Sequence, residues 1–397
     1  MDNRLDSVGG RIPAAPDMLG ANHTGMRERN ERLVLTLLRQ RGPLSKSDIA
    51  RATGLSAQTV SVIMRALEGE GLLIKCEPVR GKVGQPSVPM DLAPDGAFFL
   101  GLKIGRRRTE MVLLDFVGTV RGKRVTRHDH PTPDESIDFA VTAAADLVAQ
   151  MPPDSAARIA GLGIGLPSRL RDWATALHLD DMAMADWQER DIRAELSTRM
   201  PWPVILTNDA SAACNAELVF GRKEKPSSFL YACMSFFIGG GVVLDGILLT
   251  GHKGNAGALA SMPVPAIEGA TQPLHTAASL ATLESRLGGN VPWLWESTEG
   301  WNIPPDVLDP WLEEAAAGIA FTAVSAAALC ELEAVVIDGW LPRDLRRQLC
   351  TATAAAIGRL DTRGIAVPEV IEGTIGCDAR AMGAASLVLS SRFLLEA

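Results

Sequence analysis

Two hydrophobic patterns follow one another along the chain, and they predict two kinds of structure. Near the N-terminus, Leu33, Val34, Leu37 and Leu38 recur at the spacing of one helix face until Gly42-Pro43 interrupts the pattern. In the longer C-terminal part, short apolar runs alternate with longer helical segments. This alternation predicts α/β layers joined by crossover connections.

In the segment SKSDIARATGLSAQTVSVIMRALEGEGLL, the helix-capping residues and the glycine turn have the spacing of a helix-turn-helix. Ser45, followed by Asp48, resembles a capping box and predicts a short helix over residues 47–52. Gly54 predicts a tight turn, and Ser56 predicts the N-cap of a second helix that ends at Gly71. The inward face of the second helix is predicted to consist of Val60, Ile63, Met64 and Leu67.

The next segment, LLIKCEPVRGKVGQPSVPMDL, alternates and then breaks, which predicts a two-stranded wing with a basic tip. We therefore expect a winged helix-turn-helix over residues 26–92, behind a flexible arm at residues 1–25. A small helical interaction domain whose charges only keep it solvated is the alternative. The candidate DNA-binding residues are Ser45, Lys46, Ser56, Ala57, Gln58, Thr59, Ser61, Arg65, Arg80, Lys82 and Gln85.

The division of charge favours DNA binding by the N-terminal part. Residues 26–90 carry a net charge of +5, whereas residues 91–397 carry −12. A basic unit attracts the phosphate backbone of double-stranded DNA, and an acidic one is repelled by it. We therefore expect the operator to contact the winged helix-turn-helix alone.

Composition narrows the class of protein further. The six cysteines form no C-x-x-C pair and the six histidines form no H-E-x-x-H pattern, so neither a disulfide framework nor a metal site is expected. The N-terminus lacks the apolar run of a signal peptide, and no membrane span is expected. These features predict a soluble cytoplasmic protein.

The strands of the C-terminal part are predicted in FFLGLKIGRRRTEMVLLDFVG, with a turn at Gly105–Arg108, and in RIAGLGIGLP, PVILTND, SSFLYACMSFFIGGGVVLDGILL and EAVVIDGW. The glycine-rich stretch Ile238–Pro265 is the one that suggests a phosphate or sugar cradle, because glycine lets backbone amides approach a ligand closely.

From about Arg27 to the C-terminus, the chain resembles the regulator branch of the repressor, open reading frame and kinase (ROK) family. The matching pieces are GIGLPSRL, TNDASAACNAE, GGGVVLDG with GNAG, VVIDGWLP and DARAMGAA. The resemblance implies a winged helix-turn-helix followed by a two-lobed α/β fold of the actin and hexokinase (ribonuclease H-like) type, assembled as dimers or tetramers. It implies a first lobe at residues 93–206 plus 382–397, and a second lobe with an effector cleft at 207–381.

The sugar kinases of this family need motifs that this chain lacks. Their acidic D-x-G-G-T turn is replaced by Lys103-Ile104-Gly105-Arg106-Arg107, and an ammonium cannot replace a magnesium ligand. Their phosphate loop Gly-Thr-Gly-Ile-Gly is replaced by Ser235-Phe236-Phe237-Ile238-Gly239. Their G-E-x-G-H motif is replaced by Gly257-Ala258-Leu259-Ala260-Ser261, so zinc is not expected either. Together these changes predict a protein without cofactor and without kinase activity.

The sugar-contacting half of the motif set is partly retained. Asn208 and Asp209 match the pair that grips the sugar and supplies the catalytic base in the kinases, although a helix N-cap after the VILT strand is the alternative. His275 can bond a ligand hydroxyl or be an ordinary core or surface histidine. The candidate effector-binding residues are Pro167, Ser168, Asn208, Asp209, Gly257, Ser261 and His275.

Three functions of the whole chain are consistent with these sequence features. The best supported is a sugar-responsive DNA-binding transcriptional regulator, a repressor of carbohydrate genes. The alternatives are an ATP-dependent sugar kinase with an appended DNA-binding domain, and a scaffold with a vestigial cleft. The charge run Arg106–Arg108 can meet an anionic ligand, but we expect a solvated hairpin tip.

Overall fold

The structure is a computed structural model that describes residues 23–78, 87–168, 184–224, 226–266 and 269–395. It divides into two compact units. The first contains Met1–Ile164, Arg169–Leu206 and Ala384–Ala397, and the second contains Gly165–Ser168 and Thr207–Gly383. The DNA-binding segment, predicted as a separate domain, thus shares a compact unit with the first sheet.

Three helices and two short antiparallel strands form the N-terminal part of the first unit, as predicted. They are α1 (His23–Arg41), α2 (Lys46–Thr53), α3 (Ala57–Gly69), β1 (Leu73–Lys75) and β2 (Met90–Leu92). The apolar stripe of α1 and the inward face of α3 meet in a common core, in which Val34, Leu38, Ile49, Val60 and Leu67 are buried.

The predicted helix caps are confirmed. The hydroxyl of Ser45 accepts the amide of Asp48 at 3.2 Å, and that of Ser56 accepts the amide of Thr59 at 3.1 Å. Gly54 ends α2 with a φ of 71°, a left-handed conformation that favours glycine. These caps fix the short connection between the two helices.

The rest of the first unit is built on a five-stranded sheet in the order β5-β4-β3-β6-β7. Its elements are β3 (Phe98–Ile104), β4 (Arg108–Asp115), β5 (Val120–Arg127), α4 (Pro133–Ala149), α5 (Pro153–Ala156), β6 (Ile159–Leu166), α6 (Asp186–Glu189), α7 (Ile192–Arg199) and β7 (Val204–Asn208). The predicted hairpin between β3 and β4 is confirmed, with Ile104 opposite Thr109. The edge strand β5 was not predicted, because its sequence VRGKRVTR is mostly polar.

The second unit repeats the same strand order, β10-β9-β8-β13-β14. Its elements are α8 (Asp209–Phe220), β8 (Phe229–Met234), β9 (Gly239–Leu244), β10 (Ile247–Leu249), β11 (Pro263–Pro265), β12 (Thr271–Pro273), α9 (Leu274–Ala277), α10 (Leu280–Arg286), α11 (Trp293–Glu296), α12 (Pro305–Cys330), β13 (Ala334–Gly339), α13 (Arg343–Ile357) and β14 (Glu369–Glu372). The last helix, α14 (Ala379–Phe393), begins in the second unit, and from Ala384 onward it belongs to the first. Strands β8, β9 and β10 are antiparallel neighbours, whereas β13 runs parallel to both β8 and β14. Helices therefore connect the parallel strands, as the alternating pattern predicted.

The longest described helix, α12, is long and apolar enough to cross a membrane by length and composition alone. Half of its most apolar window is buried inside the protein. Trp311, Ile319 and Ala323 belong to the main core of the second unit, together with Leu345 of α13. This packing is that of the core helix of a folded domain.

Two arginines join the winged helix-turn-helix to the first sheet within the first unit. Arg39 of α1 donates to the carbonyl of Phe116 and lies over the Phe116 ring, with its guanidinium carbon 5.5 Å from the centroid. Burial lowers the pKa of Arg39 to about 10. Arg158 lies 3.4 Å from the carbonyl of Glu70, the C-cap of α3, and 3.3 Å from that of Gly96. The position of α3 is therefore set partly by the body of the protein.

Candidate DNA-binding surface and ligand site

The outward face of α3 is the candidate recognition surface. Ala57, Gln58 and Arg65 are exposed, as predicted, whereas Ser61 is half-buried. The hydroxyl of Thr59 lies 2.8 Å from that of Ser56, so both belong to the cap of the helix. The side chains that are available to base edges are therefore fewer than the sequence suggested.

The contact predicted for Ser45 has no support in the structure. Ser45 is only 8% exposed, and its hydroxyl donates to the carboxylate of Asp48 at 2.6 Å. A buried capping hydroxyl is not free to contact DNA. Its neighbour Lys46 is exposed at the start of α2. The wing residues Arg80, Lys82 and Gln85 lie outside the described residues.

One residue of the recognition face was not predicted. Val62 is 49% exposed although it is apolar, and it lies one helical turn after Gln58 and one turn before Arg65. The outward face of α3 thus carries an apolar group between two polar ones. The spacing from Gln58 was visible in the sequence, but the candidate residues on this helix were Ala57, Gln58, Thr59, Ser61 and Arg65, and Val62 was left out.

In the second unit, Asn208 caps a helix, which was the alternative to the ligand contact predicted for it. Its side-chain oxygen caps α8 by accepting the amides of Ala210 and Ser211, at 2.9 and 3.1 Å. Its amide nitrogen donates to the hydroxyl of Ser168 at 2.9 Å. The structure therefore brings together two of the predicted ligand residues, and Pro167 is buried beside them in the chain.

Asp209, the first residue of α8, is held by an arginine. Its carboxylate is only 5% exposed, and Oδ2 lies 3.1 Å from Nη1 of Arg380 at the start of α14. Nη2 of Arg380 donates to the hydroxyl of Ser235 at 2.6 Å. Ser235 in turn donates to the carbonyl of Phe237 at 2.5 Å. Arg380 lies in the DARAMGAA segment, but no motif or spacing indicated that it pairs with Asp209.

The phenylalanines of the β8–β9 turn belong to an aromatic cluster. The Phe237 ring centroid lies 5.0 Å from that of Phe236 and 5.1 Å from that of His275, and Phe236 lies 5.5 Å from Trp295. Nδ1 of His275 must donate to the carbonyl of Ala260, 2.9 Å away, because a carbonyl only accepts. In the neutral tautomer that makes this bond, Nε2 is an acceptor.

The contacts so far form a continuous path from Asp209 to His275. The path runs through Arg380, Ser235 and Phe237, all in the second unit. Ser261 is exposed next to Ala260, the partner of His275. Predicted ligand residues far apart in sequence are thus joined by residues that sequence reasoning did not assign to the site.

The glycines of Ile238–Pro265 approach other parts of the protein closely. A Cβ on Gly239 would lie 2.6 Å from the Cβ of Ala210, and one on Gly241 would lie 2.6 Å from that of Cys214. Gly257 has a φ of 74°, and a Cβ on it would lie 2.7 Å from the Cα of Gly241. These glycines let β9 pack against α8 and the following loop. The close approach that these glycines permit is between parts of the protein itself.

The expectation of a solvated tip at Arg106–Arg108 is wrong. Arg106 is only 6% exposed, and Arg108 forms an ion pair with Glu110, which is 1% exposed. The amide of His128 donates to the carbonyl of Arg107, and the His128 ring lies 3.1 Å from the Thr109 hydroxyl. The hairpin is therefore packed within the first unit, and its arginines have partners there.

Known protein families match both parts of the chain. A profile described as winged helix-turn-helix DNA-binding matches residues 27–74, and a profile described as ROK family matches residues 99–283. The chain carries a ROK family domain behind a winged helix-turn-helix. These matches confirm the predicted resemblance to the ROK family and the predicted winged helix-turn-helix.

Proteins similar to this chain include repressors and kinases. The xylose repressor of Bacillus subtilis (strain 168) is 22% identical over 244 residues, which is 62% of each chain. The chain thus matches less than two thirds of that relative's length. The crystal structure of a ROK family transcriptional regulator, a homolog of the E. coli MLC protein, superposes with a TM-score of 0.66 at 19% identity and covers 94% of this chain and 98% of that chain.

A ROK family glucokinase from Streptomyces griseus, in complex with glucose and AMPPNP, superposes with a TM-score of 0.55 at 19% identity. It covers 73% of this chain and 99% of that chain. At these identities the two structures establish the fold. It is the predicted winged helix-turn-helix followed by a sugar-kinase-like α/β fold.

One further segment, VVIDGWLP, has a structural role. Asp338 at the end of β13 is fully buried and accepts from the Tyr231 hydroxyl at 3.1 Å, from Arg346 at 2.9 Å and from the amide of Gly376. Burial raises the pKa of Asp338. No group of three or more potential metal ligands occurs within the described ranges.

Proposed function

We propose that this protein is a sugar-responsive DNA-binding transcriptional regulator, a repressor of carbohydrate uptake or catabolism genes, which binds its effector without phosphoryl transfer. The observation that carries the proposal is the ion pair between Asp209 and Arg380. The ROK fold is shared by repressors and kinases, so the state of this carboxylate distinguishes the two.

The pairing of Asp209 argues against a role as general base. A base must reach the hydroxyl and take its proton. Asp209 is only 5% exposed, and Oδ2 of its carboxylate is engaged by Nη1 of Arg380 at 3.1 Å, so little of the carboxylate is open to a substrate hydroxyl. Asp209 stands at the position of the catalytic base of the kinases. Here it is better suited to hold Arg380 in place.

The turn after β8 argues against a phosphate site. Phosphate loops hold their ligand with backbone amides and need glycines for close approach. Here the Phe236 ring contacts that of Trp295, the Phe237 ring meets that of His275 edge to face, and Ser235 is engaged by Arg380. Side chains of the second unit therefore occupy the space within this turn.

The proposed effector is a small carbohydrate or a derivative of one. Ser168, Asn208 and His275 offer hydroxyl, amide and imidazole groups, the kinds of group that bond sugar hydroxyls. The aromatic rings around His275 add apolar surface, which ligand sites use beside a few polar groups. Because curated relatives are named xylose repressors, xylose is the first sugar to test.

On the DNA side, the exposed face of α3 and the basic charge of residues 26–90 support binding to a double-stranded operator. We further propose a cytoplasmic homodimer or tetramer, because two winged helices on a two-fold axis match a pseudo-palindromic operator. Effector binding would then change operator affinity through the conformation of the ROK domain.

A sugar kinase remains the second candidate, since Asn208 and Asp209 are present and the fold matches a glucokinase. A coupled assay for ADP release over a panel of sugars, run on the full chain with ATP and Mg²⁺, separates the two. We expect no turnover above the rate without sugar. Turnover of about 1 s⁻¹ or more, the lower end for enzymes, would establish the kinase instead.

The proposed ligand role of Asp209 is tested in the same protein. Asp209→Asn keeps the shape of the side chain and removes its charge, so we expect loss of the sugar response with DNA binding retained. Asp245→Asn, at an exposed turn of the same unit, is the matched control. An unchanged sugar response in Asp209→Asn would contradict the assignment.

A further inference from the structure

The exposed face of α3 carries one apolar side chain at its centre. Val62 is 49% exposed, whereas Val60, Ile63 and Met64 on either side of it in the sequence are at most 3% exposed. Val62 therefore belongs to the outward face and contributes little to the core. Its position, and not its exposure alone, singles it out, because it lies between Gln58 and Arg65 on the surface that faces DNA in the proposed function.

The neighbours of Val62 restrict what it can contact. Gln58 is exposed one turn earlier, and Arg65 is exposed one turn later with its Nε donating to the carbonyl of Ser61 at 3.1 Å. The side chains on this face are thus an amide, a branched hydrocarbon and a guanidinium. An amide and a guanidinium can each bond base edges in the major groove, but a valine side chain can only make an apolar contact.

The major groove offers such a group at one base only. The C5-methyl of thymine is the apolar feature by which A·T pairs differ from G·C pairs there. We propose that Val62 contacts the C5-methyl group of a thymine and thereby selects an A·T pair at one position in each half of the operator. The proposal rests on the proposed function, since it requires that α3 enters the major groove.

The substitution Val62→Ala is well suited to test the contact. Val62 is exposed, and alanine has the higher helix propensity, so the variant is expected to fold as the wild type does. Val62→Thr keeps the branched shape and one methyl group, and serves as the conservative variant. Val117→Ala, which removes a comparably exposed valine at 39% exposure from the turn after β4, is the control.

The experiment begins with the full chain and a library of random 30-base-pair duplexes. Repeated selection gives the best-bound sequence, and each thymine in it is then replaced by deoxyuridine, which lacks only the C5-methyl group. Dissociation constants are measured by fluorescence anisotropy at fixed salt, because phosphate contacts make affinity salt-dependent.

We expect one deoxyuridine position per half-site to weaken wild-type binding about fourfold, the value of one buried methyl group. Val62→Ala should bind the thymine duplex about fourfold more weakly and lose sensitivity to deoxyuridine at that position. Val62→Thr and Val117→Ala should stay sensitive.

Two results would overturn the proposal, and they are distinguishable. If a sequence is enriched but Val62→Ala remains as sensitive to deoxyuridine as the wild type, the thymine contact is wrong while DNA binding stands. If no sequence is enriched and no duplex binds, the proposed function fails together with the contact.

Discussion

The first hairpins of the two units occupy the same place in the same strand order but differ in chemistry. In the first unit, the turn between β3 and β4 carries buried Arg106 and the Arg108–Glu110 ion pair. In the second unit, the turn between β8 and β9 carries Phe236 and Phe237, whose rings meet edge to face. One hairpin is charged and the other aromatic, although strand order β5-β4-β3-β6-β7 matches β10-β9-β8-β13-β14.

The difference shows that topology fixes where a hairpin lies but not what it can bind. Each hairpin is engaged by side chains of its own unit, His128 and Glu110 in the first and Arg380 in the second. A loop that cradles phosphates instead presents free backbone amides. The comparison therefore supports a ROK domain in which both hairpins pack against residues of their own units.

The largest effect is expected from Arg380, which ties the second hairpin to Asp209. Arg380→Met removes the cation and leaves a carboxylate that is 5% exposed, so the free energy of unfolding should fall by about 3–5 kcal/mol. Urea unfolding followed by circular dichroism measures the change. The double variant Asp209→Asn with Arg380→Met should recover part of the loss, since no unpaired charge remains.

A matched control for this prediction is Arg363→Met. Arg363 also pairs with an aspartate, Asp361, but its side chain is 90% exposed. Exposed pairs contribute little, so no measurable change is expected. Equal effects of the two substitutions would show that Arg380 is not the anchor of the second hairpin.

A smaller effect is expected in the first unit, where Arg39 joins the DNA-binding domain to the sheet. Arg39→Met keeps the aliphatic part of the side chain but removes the donor to the Phe116 carbonyl, a loss of about 1.5–3 kcal/mol for a charged hydrogen bond. Hydrogen exchange should show faster opening of α1. Arg41→Met, exposed on the same helix, is the control, and protection of α1 that is unchanged in Arg39→Met would refute the docking role.

The smallest effect concerns pH and should be confined to the first hairpin. Burial lowers the pKa of His128 below its ordinary value of 6.5, so the unfolded chain binds the proton more readily. The contribution of His128 to stability is therefore full above pH 6.5 and is lost as pH falls through the folded-state pKa. Unfolding at pH 8 and pH 5.5 should show a smaller acid loss in His128→Gln than in the wild type, whereas a replacement of exposed His252 should behave as the wild type does. An identical acid loss in His128→Gln would contradict this.

Much of the fold could be predicted because its determinants are local. The caps at Ser45 and Ser56, the turn at Gly54 and the apolar strands each depend on residues within a few positions. The strand β5 was missed because VRGKRVTR is an edge strand whose side chains are mostly not buried. Local pattern rules detect buried faces, and this strand has almost none.

The candidate site was only partly predictable because its contacts are long-range. Asp209 and Arg380 are joined by the fold and not by any spacing in the sequence. The burial of Arg106 was likewise missed, since a short run of arginines is usually solvated and nothing nearby in the sequence indicated its partners. Sequence motifs located Asn208, Asp209 and His275, but only the structure shows what holds them.

In the proposed function, a sugar controls DNA binding through a ROK domain that performs no phosphoryl transfer. The deciding measurement is the dissociation constant of the full chain for its selected duplex, with and without each sugar of a panel that begins with xylose, in the absence of ATP. We expect at least one sugar to change this constant by about 5–150-fold, the usual range of allosteric coupling. A constant that no sugar changes, or that changes only when ATP and Mg²⁺ are added, would contradict it.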